Sequence, residues 1–219
     1  MAKVAIIGAG SIIFCKTLIL DILATEGLED TEFALMAPSR NRTPYVESFV
    51  KKVIEANDLP ARVWVTTDQR EAIRDADYVI TTFQVGGVKG FEYDYKIPLK
   101  YGVDCCIADT GGPAAVFRAL RQLPVMLDLA KDMEELCPDA YVLNYVNPMT
   151  VLCWALGATS KIKFVGLCHG VIVVRAEPGL GFLLVTFGAP VASHEGEGRG
   201  QVRGIPPRTL TTFLHRVYG

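Results

Sequence analysis

Neither sign of charge dominates this chain: 22 Lys+Arg stand against 24 Asp+Glu in 219 residues, a formal net charge of −2. Without a basic field, attraction to nucleic acid or to an anionic lipid surface has no electrostatic source, and a small molecule is the default partner. Long hydrophobic runs are missing as well. The run from Val4 to Ile7 is too short for a signal peptide and ends in a glycine turn, and nothing later approaches the roughly 20 apolar residues of a membrane span. The expectation is a cytoplasmic chain with no membrane partner. Six cysteines (Cys15, Cys105, Cys106, Cys137, Cys153 and Cys168) lack the compact spacing of a disulfide framework, so they read as reduced thiols, most of them small core residues. No internal repeat is visible. What is present is apolar mass: 50% hydrophobic against 21% charged residues excludes disorder and allows one large domain, or one domain with part of a second.

The pattern along the chain alternates. Lys3 to Ile7 is a β-branched run, and after the glycine turn Ile12 to Leu23 has helical apolar spacing, so the opening reads strand, turn, helix. Thr31 to Met36 predicts a second strand, and Tyr45 to Ala56 predicts an amphipathic helix with apolar residues at Val46, Phe49, Val50, Val53 and Ile54. Strands follow at Val63 to Thr67, Tyr78 to Thr82, Ala140 to Asn144 and Lys163 to Leu167. Between them lie helical segments at Asp68 to Arg74, Phe91 to Tyr101, Val116 to Leu136 and Thr150 to Leu156. Such an order implies an α/β fold, a Rossmann-like parallel sheet with helices on both faces. Residues 1–170 form this domain. Residues 171–219 are glycine-rich, with a stretch around His194 that reads as loop.

Three motifs sit at predicted strand ends. The first is Val4-Ala5-Ile6-Ile7-Gly8-Ala9-Gly10-Ser11, after a strand and before a helix, where a phosphate-binding turn must lie. Gly8 permits the tight turn, Gly10 lets the backbone approach a pyrophosphate, and the next helix presents free N–H groups and its positive end. Ile13 stands where the third glycine of the usual pattern falls. An ordinary strand-to-helix turn uses the same glycines, but the repeated βα order favours dinucleotide binding. After the second strand, the acidic residue that would bind ribose hydroxyls is missing from Ala37-Pro38-Ser39-Arg40. Ser39, Arg40 and Arg42 are either solvated loop residues or the holders of a 2′-phosphate, which would favour NADP over NAD. The second motif is Asn144-Tyr145-Val146-Asn147-Pro148-Met149. Its proline keeps Asn147 out of a helix and holds its amide at the carboxyl edge of the sheet, where ligands bind, although Asn-Pro is also a common turn. The third is Gly166-Leu167-Cys168-His169-Gly170, whose thiolate and imidazole suit a metal ligand and a substrate donor or general acid; a buried cysteine beside a capped histidine is the plainer alternative.

Taken together, these residues resemble glycoside hydrolase family 4, NAD- and divalent-metal-dependent α-glycosidases with a fold related to lactate and malate dehydrogenases. The likeness runs through Gly8-Ala9-Gly10-Ser11, Thr82-Phe83-Gln84-Val85-Gly86-Gly87, Ile97-Pro98-Leu99-Lys100-Tyr101-Gly102-Val103, Ala119-Leu120-Arg121-Gln122-Leu123-Pro124, Cys137-Pro138-Asp139-Ala140, and the Asn147 and Cys168 motifs. It implies hydrolysis without net redox change, in which NAD transiently oxidises the sugar at C3. Elimination follows from C2 with the help of a metal, usually manganese, and a tyrosine base. The resemblance places Gly8, Gly10, Ser11, Ile12 and Gln84 at the cofactor, Cys168 on the metal, and Asn147 and His169 at the substrate. His169, where relatives acting on 6-phosphoglycosides tend to differ, points to an unphosphorylated α-galactoside, α-glucoside or α-glucuronide, and a homo-oligomer is implied.

The departures from the family pattern are specific. Ala37 replaces the acidic residue after the second strand, and Gly112-Pro113-Ala114-Ala115 carries alanine where glycine is expected. The second metal histidine has no matching motif around His194, and Tyr218 has no context as the catalytic tyrosine. The expectation is therefore that the C-terminal substrate domain is largely missing and that 171–219 is a frameshifted or truncated remnant of it. Two other readings stay open: a 2-hydroxyacid dehydrogenase of the lactate/malate type, and a cofactor-binding fragment without turnover.

Overall fold

In the computed structural model, residues 1–105, 110–167 and the backbone of 186–188 are described. In chain order the elements are β1 (Lys3–Ile7), α1 (Ile12–Leu23), β2 (Glu32–Met36), α2 (Thr43–Ala56), β3 (Arg62–Thr66), α3 (Gln69–Ile73) and β4 (Tyr78–Thr81). They continue with α4 (Gly87–Leu99), α5 (Gly112–Leu136), β5 (Tyr141–Asn144), α6 (Met149–Thr159), β6 (Lys163–Gly166) and β7 (Thr186–Gly188). The sheet order is β3-β2-β1-β4-β5-β6-β7. The first six strands are parallel, and β7 runs antiparallel to β6, pairing Phe187 with Val165. This is the doubly wound order, whose direction of growth reverses between β1 and β4 and opens a crevice there at the carboxyl ends of the strands.

The strands are buried on both faces, which is why they read as continuous apolar runs rather than as alternating ones. On one face Ala5 and Ile7 of β1 pack with Ile73 of α3, Met126 and Leu129 of α5, and Leu152 of α6. On the other, Val4 and Ile6 pack with Cys15, Leu18 and Ile19 of α1 and with Val46 and Val50 of α2. Each of the larger aliphatic side chains taken wholly from water contributes about 1.5–3 kcal/mol, so the two layers anchor the sheet independently.

β1 and α1 coincide end for end with the sequence expectation; elsewhere the differences have local causes. α4 starts at Gly87, ahead of Phe91, because Gly86 adopts a left-handed φ of 82° and turns the chain into the helix. α5 starts at Gly112, ahead of Val116, since Pro113 suits a first helical turn. The same helix passes through Pro124, which sequence rules treat as a breaker. β7 lies in the glycine-rich tail, where no strand was expected; Thr186 and Phe187 are strand formers that the surrounding glycines conceal. The sheet is thus parallel through six strands and ends on an antiparallel seventh.

Candidate functional site

The carboxyl ends of the strands form one row. Met36 pairs with Ile7, Ile7 with Thr81, Thr81 with Asn144, and Asn144 with Gly166. The ladder extends one step further: Thr82 N–H donates to Ile7 O at 2.8 Å, Tyr145 N–H to Thr81 O at 3.1 Å, and Leu167 N–H to Asn144 O at 2.9 Å. The glycine turn, the Thr82–Gln84 segment and the Asn147 turn therefore leave the sheet at one level. Cys168 and His169 follow Leu167 directly in sequence, but both lie outside the described residues.

At the glycine turn, each glycine has its own reason. Gly8 has φ +100°, and a Cβ there would stand 2.5 Å from Phe83 N, so only glycine lets the turn seat against the exit of β4. Its N–H and that of Ala9 both donate to Met36 O at 2.9 Å, which consumes them in holding the turn to β2. Gly10 is the open side, since a Cβ added there meets nothing within 4 Å. The first-turn N–H groups of α1 follow, groups that a helix leaves unpaired, and Ser11 places no side-chain cap on them. Ile12, the other residue expected here, begins that helix. Ile13 is 79% exposed, so losing the third glycine places no bulk between helix and sheet.

Gln84 is exposed, and its Nε2 donates to Gly87 O at 3.1 Å, closing the turn before α4. Beneath it lies a polar support that sequence reasoning missed. Gln122 is fully buried, and its Oε1 accepts the Val85 N–H at 3.1 Å. Beside it, Arg121 grips the fully buried Asp94 with both terminal nitrogens, one at 2.6 Å. That ion pair raises the pKa of Arg121, chiefly through its hydrogen bonds to Asp94. Gly90 makes the grip possible, because a Cβ there would lie 3.3 Å from Arg121 Nε. Arg121 Nε and Gln122 Nε2 are buried without a partner. The one available signal was the unbroken Arg121-Gln122 pair on an otherwise apolar helical stripe; Asp94, among Glu92 and Tyr93, looks like any surface acid.

At the end of β5, Asn144 is fully buried and its polar atoms are satisfied locally. Oδ1 accepts Thr81 Oγ1 at 2.8 Å and Val146 N–H at 2.9 Å, and Nδ2 donates to Val146 O at 3.2 Å. Asn147, three residues on, is half-buried. Its Oδ1 accepts the Met149 N–H at 3.3 Å at the start of α6, Arg118 Nε donates to its carbonyl at 3.2 Å, and its bond to Pro148 is cis. Across the crevice, Phe14 of α1 meets Tyr145 edge to face with centroids 5.3 Å apart, tying the two sides together. Cys153, behind this turn, is pushed up to about 11 by burial, against the opposing hydrogen bond from Asn144; it is a packing thiol. Among the described residues no group of three or more His, Cys, Asp or Glu is placed to share a metal ion.

A family model described as family 4 glycosyl hydrolase matches residues 3–177. An α-galactosidase of Rhizobium meliloti is 46% identical over 170 residues, covering 77% of this chain and 35% of that protein. An α-galactosidase of Bacillus subtilis is 42% identical over 174 residues, covering 79% and 40%. The chain thus spans well under half the length of these relatives. Among solved structures, the 6-phospho-β-glucosidase of Thermotoga maritima with manganese, NAD+ and glucose-6-phosphate superposes with a TM-score of 0.71 at 26% identity, covering 80% of this chain and 42% of that one.

Proposed function

Because this chain belongs to family 4 of the glycosyl hydrolases, we propose that it forms the cofactor-holding part of an enzyme that hydrolyses an unphosphorylated α-glycoside, an α-galactoside first, or an α-glucoside or α-glucuronide. The observation that carries this reading is the row Ile7, Thr81, Asn144 and Gly166, which brings the glycine turn and the Asn147 turn to one crevice. A nicotinamide and a sugar carbon must meet side by side, and a shared strand-end level is what that requires. The substrate class is supported by the names of the 46% and 42% identical relatives.

The turn fits a dinucleotide: the open face at Gly10 admits a pyrophosphate, and the start of α1 supplies donors. Gly8 and Gly10 shape that cradle, Ser11 and Ile12 lead into the donor turn, and Gln84 borders the nicotinamide side. Asn147 orients a sugar hydroxyl, held in place by Arg118 and by its bond to the start of α6. Cys168 would hold a divalent metal and His169 would meet the substrate; both assignments rest on the resemblance, and the manganese of the Thermotoga maritima structure supports the metal's identity. When bound, the nicotinamide and metal supply reversible oxidation at sugar C3 and polarisation of the neighbouring oxygens, which acidifies C2 for elimination. The same reading makes the full-length protein a homo-oligomer, with the exposed apolar side chains of Trp154, Leu120 and Val116 open to another surface, and places it in the cytoplasm; among the described residues no helix is long and apolar enough to cross a membrane.

The test is to incubate the full chain with a nitrophenyl α-galactoside, with and without NAD or NADP, Mn2+ and a thiol reductant. Nitrophenol release that requires all the additions would support the glycosidase reading for this chain. Oxidation of a 2-hydroxy acid instead would favour the dehydrogenase reading, and cofactor binding with no turnover would leave a cofactor-binding fragment.

A further inference from the structure

The carboxyl end of β2 is where this fold meets the adenosine ribose of a dinucleotide. Here the carbonyl of Met36 accepts the N–H groups of both Gly8 and Ala9, so the chain leaves β2 directly alongside the phosphate turn. The next residue, Ala37, is 6% exposed and stands where a carboxylate would accept hydrogen bonds from the ribose hydroxyls. No Asp or Glu occurs from there until Glu47. Pro38, Ser39, Arg40, Asn41 and Arg42 are instead exposed, and neither arginine is held in an ion pair among the described residues. Thr43 opens α2 at the same corner with its Oγ1 buried and without a partner.

We propose that this corner receives the 2′-phosphate of an NADP(H)-type dinucleotide, with Arg40 and Arg42 supplying the charge and Ser39 a hydroxyl, so that the chain takes the 2′-phosphorylated cofactor in preference to NAD(H). The inference rests on the dinucleotide reading of the glycine turn. Two features act in the same direction. Guanidinium forks match phosphate oxygens and form charge-assisted hydrogen bonds, and the missing carboxylate removes both the ribose contact that rewards NAD and the repulsion that rejects a phosphate. Among the described residues, recruiting the arginines breaks no existing ion pair, which leaves only the ordering of their side chains to offset.

Titrating the full chain into NADH and NADPH and following nicotinamide fluorescence tests this without requiring turnover. NADPH is expected to bind at least about tenfold more tightly than NADH, with a preference that grows as salt is lowered. In the Arg40→Gln/Arg42→Gln double variant the preference disappears. Ser39→Asp, at an exposed position that leaves the core untouched, turns it toward NADH. Tighter binding of NADH by the unaltered chain, or a preference that survives loss of both arginines, overturns the inference alone. Binding of neither nucleotide by a chain that circular dichroism shows to be folded overturns the dinucleotide reading, and the inference with it.

Discussion

The two sides of the sheet's carboxyl edge are built on opposite terms. On the β4–β5 side three polar contacts, each with a buried side chain, cross between elements: Thr81 to Asn144, Val85 to Gln122, and Asp94 to Arg121. On the β2 side Ser39, Arg40 and Arg42 stand in solvent, and among the described residues no ion pair restrains either arginine. A buried hydrogen-bonded group fixes geometry, because breaking it strands a partner away from water. An exposed side chain can change without disturbing what lies beneath. On the proposed reading, the edge therefore separates what must be held in place, the turns that would face the reacting carbons, from what can be retuned, the end that would read the adenosine.

Substitutions on the two sides should differ accordingly. The largest effect is expected from Gly8→Val, which combines a φ of +100° with a backbone atom 2.5 Å from the new Cβ. A loss on the order of 4 kcal/mol, read from urea unfolding, should come with loss of nucleotide binding. Asp94→Ala leaves Arg121 without its counter-ion beneath α4 and should cost about 3 kcal/mol, whereas Arg40→Gln measured in the same way should stay within about 0.5 kcal/mol. Equal losses in the two variants would erase the distinction between the sides. Gln122→Met removes the acceptor for Val85 N–H at similar volume and should cost about 1 kcal/mol, and it should weaken nucleotide binding if that bond positions the Gln84 turn; unchanged affinity would limit the bond to stability.

The smallest effect at neutral pH comes from the buried thiols. Burial pushes Cys15 up to about 12, and Cys137 and Cys153 up to about 11, from an ordinary value of 9.0. The folded state thus keeps protons that the unfolded chain releases. Their contribution is fully present below pH 9.0, declines as the unfolded thiols ionise, and is lost by about pH 11 to 12. Melting temperature should be insensitive to these groups at pH 8 and fall above pH 9.0; Cys153→Ala should lessen that fall.

Much of the fold was legible because both faces of the sheet are covered. Val4 to Ile7, Phe33 to Leu35 and Tyr78 to Thr81 are apolar without alternation, and only buried parallel strands need that. The glycine turn was legible locally, as a strand followed at once by Gly8 and Gly10. The helix starts at Gly87 and Gly112 were not, since glycine weakens a helical pattern just where backbone freedom lets the helix begin. Nor was the Asp94 support. Its partner Arg121 lies 27 residues away, and an acid's burial depends on that partner rather than on its neighbours in sequence. The Asn147 position followed from the proline beside it, but the burial of Asn144 and its bond to Thr81 depend on strand pairing 63 residues apart.

The antiparallel strand β7 has a consequence for how the chain survives its own synthesis. Six parallel strands assembled alone would leave the β6 margin as an open template of amide and carbonyl groups, ready to recruit a neighbouring molecule. A three-residue strand laid along it presents a new margin too short to template a second sheet. On the opposite margin, β3 begins with exposed Arg62, a charge that discourages the same stacking. Among the described residues the sheet is thus blunted at both rims by different means, one by length and one by charge.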